Sequence, residues 1–542
     1  VIAVETGYGP SAALKSDGTV WMWGYNYSGG LGDGTLTDRL APIQVSGLTD
    51  VKSIALNDYY TSYAVTSSNS VYGWGYNNYG ELGVRTTTEC DNRNINCSKV
   101  PIINTPVSGQ LDPAYTDKGY ALGTNPAGNR GDDVGRALFI DNSGRILVTG
   151  YSDSALSTDI NNDMTIWRLN QNGTLDSSFN SNGIVTHEGA AGASGNDRGM
   201  AIITDASDNI LIAGRSFNGS DFDMVIWRFK EDGSLDTSFN LNGYVVYDRG
   251  FGDDYASAIQ VSSDGSGSVV VVGLTTNNAT NTAIYQDLTV WRFTSDGTTD
   301  VTFGGGDGVV IYNGPATGGG FDTANDFIFD GTNIIVAGSR DTDAANQDMV
   351  ILRLDATGDY DTAFGTGGMV VHDNAAGGNG NDYATSVLID ASGDYLIAGY
   401  SERSAGNYDL AMWKYDTSGN PVNTFGTNGI VTHDNAAGGT SGSDFGFSAD
   451  FDNSGDILIT GKSHNGTNDD MVVWRYTPDG ILDTSFNGTG YIVFYSGDNS
   501  SYTITDVGWV VLGDSQGRIH VAGEKFYRGW YNLDMAHWKI LP

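Results

Sequence analysis

DRGMAIITDASDNILIAGRSFNGSDFDMVIWRFKEDGSLDTSF, running from Asp197 to Phe239, holds the pattern on which the fold turns. It opens on Asp197, passes through an apolar strand to a polar turn at Asp205, and returns along a second strand ending in Gly214. A variable loop follows, then Asp223-Met224-Val225-Ile226-Trp227-Arg228, then Gly233-Ser234-Leu235-Asp236-Thr237-Ser238-Phe239 before a last short strand. The unit occurs seven times between Gly109 and Pro542, one copy being divided between the two ends. A repeat of roughly sixty residues built from four short strands predicts a β-propeller blade.

The columns keep phase. The opening position is Asp133, Asp197, Asp254, Asp322, Asp382, Asp444 and Asp506. The third strand carries Asp163, Asp223, Asp287, Asp348, Asp409, Asp470 and Asp534. Its Trp stands at Trp167, Trp227, Trp291, Trp413, Trp474 and Trp538, with Leu352 in the remaining copy, and Arg or Lys always follows.

The last copy stops after Trp538-Lys539-Ile540-Leu541-Pro542, without its Gly-x-Leu-Asp-x-x-Phe string. That string appears instead as Gly109-Gln110-Leu111-Asp112-Pro113-Ala114-Tyr115, ahead of a strand around Tyr120-Ala121-Leu122. An open ring would leave unpaired strand edges. The expected fold is therefore all-β: a seven-bladed propeller of four-stranded blades over 108–542, with outer strand 108–124 closing the last blade, 504–542, in a three-plus-one clasp.

Residues 1–107 repeat differently. Val20-Trp21-Met22-Trp23-Gly24-Tyr25-Asn26 precedes Gly29-Gly30-Leu31-Gly32, and Val71-Tyr72-Gly73-Trp74-Gly75-Tyr76-Asn77 precedes Gly80-Glu81-Leu82-Gly83. This segment resembles two repeats of the regulator-of-chromosome-condensation family, and implies a partial second propeller. The longer repeat set resembles the bacterial delta-sixty repeat family, which implies a large secreted or surface protein without an established catalytic mechanism.

Composition points the same way. Acidic residues number 65 against 27 basic, a formal charge of −38, which repels nucleic acid and anionic lipid. No apolar run reaches membrane-spanning length, so direct membrane insertion is not expected. The chain opens on Val1, which reads as a processed or partial sequence and leaves room for a longer polypeptide or a larger assembly. Its two cysteines, Cys90 and Cys97, share one insertion; a disulfide there would imply an oxidising compartment, free thiols or metal ligands being the alternatives.

Candidate chemistry is sparse. The opening Asp column would gather carboxylates around one mouth of the channel, where like charges must be protonated, hydrogen-bonded or cation-bound. Calcium is one reading; backbone hydrogen bonding, favoured by repetition in every blade, is the other. No other cofactor is expected. The basic residue after Trp needs a partner, and the Asp of the Leu-Asp-x-x-Phe string is the candidate, although Val422 replaces it in one copy. His520 and His537 replace apolar residues and could face each other across a hairpin. Neither a Ser–His–acid set nor a clustered acid pair stands in a catalytic context, so the chain is read as non-enzymatic.

Loops between second and third strands vary, and in the last blade the loop is aromatic: Phe526, Tyr527, Trp530 and Tyr531. Exposed rings there would stack on sugars or anchor a protein, unless they pack against the N-terminal segment. Two function classes follow. One is an extracellular or cell-surface adhesin or binding module for glycan or protein; the other is a structural subunit of a bacterial surface layer, appendage or filament.

Overall fold

In the computed structural model the described residues are 1–7, 9–56, 60–67, 71–77, 97–103, 110–112, 115–116, 120–123, 131–153, 161–250, 252–277, 285–314, 320–342, 346–378, 380–438, 442–494, 505–527 and 532–542. The chain divides into two compact units, Val1–Gln110 and Leu111–Pro542. Among the described residues they hold nine four-stranded antiparallel sheets, the construction of propeller blades.

The first unit carries two of these sheets. One runs through Ala3–Thr6, Pro10–Leu14, Val20–Gly24 and Arg39–Gln44; the other runs through Val51–Leu56, Thr61–Thr66, Val71–Tyr76 and Cys97–Ile103. Leu14, Met22, Leu31, Leu48 and Trp74 share its core. The Asn of the repeat explains the turn after it: buried Asn26 accepts the Leu31 N–H at 3.0 Å and donates to Thr35 O at 2.9 Å. Cys97 is buried at the start of its strand, while Cys90, and with it the expected disulfide, lies outside the described residues.

The second unit holds the other seven sheets. Their first strands are Asp133–Ile140, Asp197–Thr204, Asp254–Val261, Thr323–Asp330, Asp382–Ile389, Asp444–Phe451 and Val507–Gly513. Each touches the first strand of the next sheet, and Val507–Gly513 touches Asp133–Ile140. In the last sheet the order is Val507–Gly513, Ile519–Tyr527, Asn532–Ile540 and then Tyr120–Gly123, with Trp538 paired to Tyr120 and Met535 to Gly123.

Every first strand is bulged at one point, as between Gly135 and Ala137 and between Ala384 and Ser386. The bulge brings a backbone carbonyl over the recurring Gly, which lies inside the second strand and not at its end as the sequence suggests. A Cβ on Gly150 would stand 1.8 Å from Val134 O, and one on Gly399 would stand 1.8 Å from Tyr383 O. The recurring Gly is therefore a steric necessity of the bulge, not a turn residue. Between sheets the column Trp is buried against the preceding sheet: Trp227 packs with Met164 and Ile166, and Trp291 with Met224 and Ile226.

Candidate functional site

The opening aspartates are buried and tie down the links between sheets. Asp197 Oδ2 accepts the Gly189 N–H at 2.9 Å, Asp254 that of Arg249 at 2.9 Å, and Asp322 those of Gly314 at 2.6 Å and Asp341 at 2.8 Å. Asp382 holds the amides of Asn374 and Ala375, and Asp444 those of Asn435 and Ala436. Lys525 Nζ lies 3.4 Å from Asp506, and Asp133 is fully buried at the equivalent place. Burial pushes the carboxyls of Asp197, Asp254, Asp382 and Asp444 up to about 6, against the hydrogen bonds that favour the charged form.

The column does not come together as a group. Among the described residues only Asp254 joins other carboxylates closely enough for a shared cation, with oxygens of Asp223 and Asp248 all within 4.8 Å of one another. Calcium, if any, would therefore be held by one seam between sheets and not by a ring.

The basic column does pair with the Leu-Asp-x-x-Phe string. Arg168–Asp176, Arg228–Asp236 and Arg292–Asp300 lie at 2.8, 2.8 and 2.7 Å, Arg353–Asp361 at 2.8 Å and Arg475–Asp483 at 2.7 Å. Each guanidinium also covers the Phe of its own string, as Arg168 does Phe179 at 4.4 Å. Their free ends reach across to the following sheet: Arg168 donates to Glu231 O, Arg228 to Ser295 O at 2.7 Å, Arg292 to Ala356 O and Arg353 to Thr417 O. In the last sheet Lys539 stands 3.9 Å from Asp112 and donates to Gln171 O of the first sheet at 3.1 Å.

Of the aromatic loop, Phe526 and Tyr527 end the strand Ile519–Tyr527, with Phe526 paired to Leu533. Trp530 and Tyr531 lie outside the described residues, so the expected patch is placed only by its strand.

His520 and His537 do face each other, Nδ1 to Nε2 at 3.1 Å, within a longer chain of contacts. His520 Nε2 meets Asp514 at 3.1 Å, and His537 Nδ1 meets the Tyr115 hydroxyl at 2.6 Å. Both imidazoles are buried, which holds them below their ordinary protonation range. His520 and Asp514 also line a cavity of about 440 Å³ at the seam between the last and first sheets, with Arg518, Lys539, Asp141 and Gln171.

Sequence columns miss the most unusual cluster. Arg198 and Arg215 are directly paired across two strands of the second sheet, like charge against like. Arg198 lies 4.4 Å from the Tyr151 ring, whose other neighbour is Arg136 at 6.0 Å. Arg136 in turn covers Trp509 at 3.9 Å, and Arg215 lies 4.2 Å from Tyr255 and 4.7 Å from Phe222. Burial holds Arg215 below its ordinary pKa; the nearby Arg198 and Arg136 push it the same way, against Tyr255 and Asp253. All three Nε atoms are buried without a hydrogen-bond partner, and none of the three enters an ion pair among the described residues.

Rings continue this belt. Trp509 stacks on Phe447 at 4.7 Å, Phe447 lies 6.0 Å from Phe445, Phe445 5.0 Å from Tyr400, and Tyr400 4.8 Å from Tyr383. All are half-buried residues of first or second strands. Each belt residue occupies its column in only one or two sheets, so no repeat signal marks it.

Comparison with known proteins finds two kinds of repeat. The model described as the regulator of chromosome condensation (RCC1) repeat matches residues 17–63, and a second form of it matches 1–29 and 51–81. The model described as a domain of unknown function (DUF5122) beta-propeller matches 142–179, 206–239, 265–303, 333–364 and 453–486. Among curated relatives, the ultraviolet-B receptor UVR8 of Arabidopsis thaliana is 34% identical over 15% of this chain and 19% of its own. The X-linked retinitis pigmentosa GTPase regulator homolog of Caenorhabditis elegans is 34% identical over 16% of this chain and 6% of its own. The chain thus spans less than a fifth of the length of these relatives. A solved polysaccharide lyase, Uly1, aligns over 81% of this chain and 98% of its own, with 12% identity and a TM-score of 0.41.

Proposed function

We propose that this chain is a non-enzymatic binding protein, secreted or held at a cell surface, that engages glycan or protein through its propeller faces. In this reading the second unit is a seven-bladed propeller closed by a three-plus-one clasp, and its first strands line the central channel. The circuit of first-strand contacts, the pairing of Trp538 with Tyr120 and the reach of Lys539 to Gln171 O all support closure. Matches to RCC1-type repeats support a binding or regulatory role over turnover.

The observation that carries the proposal is the belt of half-buried rings and unpaired guanidiniums on first and second strands. The rest of the charge chemistry is spent within the scaffold, Asp on link amides and Arg on Asp. A belt whose arginines form no ion pair among the described residues offers its charge to a ligand.

The test is binding of the purified chain to glycan, protein and whole-cell arrays, with and without calcium chelation. Saturable binding is expected. Ordered self-assembly with no binding would favour the surface-layer or filament subunit, and turnover of any glycan would overturn the non-enzymatic reading.

A further inference from the structure

Resting on that binding reading, we infer that Arg136, Arg198 and Arg215 form an anion seat for the carboxylate of an acidic saccharide whose sugar ring lies against the neighbouring aromatic side chains. Three observations converge. The first is electrostatic: two guanidiniums directly opposite each other, with a third close by, repel one another in a half-buried setting. Asp253 and the buried Glu524 act on Arg215 and Arg136 only from beyond ion-pair distance, and none of the three arginines enters an ion pair among the described residues. Elsewhere in the same unit, five arginines sit on an Asp at 2.7 to 2.8 Å, so the fold supplies partners where it uses Arg as scaffold.

The second is geometric. Each guanidinium carbon lies over an aromatic ring, Arg136 over Trp509, Arg198 over Tyr151 and Arg215 over Tyr255, at 3.9 to 4.4 Å, which ties the three to the rings. With each Nε buried, what remains for bonding is the terminal pair of Nη groups, which can fork onto a carboxylate. The third is the company they keep. Carbohydrate C–H faces pack on aromatic rings, and Trp509 continues into Phe447 and Phe445. A neutral sugar would use the rings alone and leave the cations unmatched.

The charge of the whole molecule narrows the ligand further. At −38 the surface repels a long polyanion, but this repulsion is screened beyond about 8 Å at physiological salt. The seat therefore suits an isolated acidic residue flanked by neutral sugars, or an acidic chain end, better than a continuous polyanion.

The experiment titrates the intact chain with a digalacturonate, its neutral galactose counterpart, a sulfated disaccharide and a triglutamate peptide. Saturable binding of the uronate is expected, with the neutral disaccharide at least about tenfold weaker, as befits a lost charge-assisted bond. Arg198→Gln and Arg215→Gln should each weaken uronate binding about tenfold or more. They should leave the melting temperature of the unliganded protein unchanged or raised, since each relieves repulsion. A lowered melting temperature with unchanged uronate binding would make the arginines packing residues and overturn the inference. Preference for the sulfated sugar would keep the seat and replace the carboxylate by sulfate; preference for the peptide would overturn the saccharide. Array binding that survives both substitutions would sink this inference while leaving the general binding reading intact. Absence of binding to every probe and array would remove both.

Discussion

Lys414 Nζ stands 2.6 Å from Asp390, a turn residue, where the other sheets pair their basic residue with the Asp of the Leu-Asp-x-x-Phe string. Val422 occupies that Asp position, eight residues after Lys414 as Asp176 is after Arg168. The fold has thus replaced the lost carboxylate from the turn between the first and second strands, at the same end of the sheet. Asp390→Asn is expected to cost about 1.5–3 kcal/mol, the range for a hydrogen bond to a charged group. Val422→Asp in that background should recover part of it. Urea unfolding of the two variants decides whether the two positions substitute for each other.

Arg168 makes the strictest version of this pairing, being 2% exposed. Removing Asp176 by Asp176→Ala leaves an uncompensated buried charge, and a loss of about 3–5 kcal/mol is expected. The effect should exceed that at Asp361, whose side chain is 28% exposed. Equal losses at both positions would show that burial does not set the scale.

Gly399 carries a purely steric prediction. With a Cβ only 1.8 Å from Tyr383 O, Gly399→Ala must displace the bulged first strand. Gly393 has open space around its Cβ position but a φ of +85°, so Gly393→Ala costs only backbone strain, about 1–2 kcal/mol. Thermal melts should separate the two, with Gly399→Ala the far larger loss.

Stability should respond to pH in two opposed ways. Asp382 and Asp444 have folded pKa values raised to about 6 from 3.8, so their contribution is full below 3.8 and is lost as pH rises through about 6. His520 and His537 are lowered by burial, so their contribution is full above 6.5 and is lost as pH falls below it. Asp444→Asn should remove part of the loss seen on raising pH from 5 to 7. His537→Phe should remove part of the loss seen on acidification below 6.5, at the expense of the Tyr115 hydrogen bond. Melting temperature followed from pH 4 to 8 checks both signs.

Repetition decides what could be read from the chain alone. Asp, Gly, Trp and Arg recur because every sheet needs the same link anchor, bulge clearance, wedge and inter-sheet lock, so the all-β repeat architecture and the Arg–Asp pairs were legible. Val422 announced an exception but not its remedy, since Asp390 is near Lys414 only in the folded sheet. The arginine seat was not legible for the opposite reason. Arg136, Arg198 and Arg215 occupy three different columns, and only the folded sheets set Arg136 and Arg198 over Tyr151 and Arg215 opposite Arg198. Asp248 was likewise unremarkable until the fold set it beside Asp223 and Asp254.

The pairing of Trp538 with Tyr120 also imposes an order on biosynthesis. A ribosome releases Tyr120–Gly123 well before its partner Asn532–Ile540, so the intervening six sheets can form while that strand has nothing to pair with. Through that interval the waiting strand is a bare edge open to other nascent chains. Its brevity, four residues ending in Gly, keeps the exposed edge small. Pairing of the two strands then waits on synthesis of the last sheet of this unit, and a truncation that removes Asn532–Ile540 leaves Tyr120–Gly123 without its strand partner.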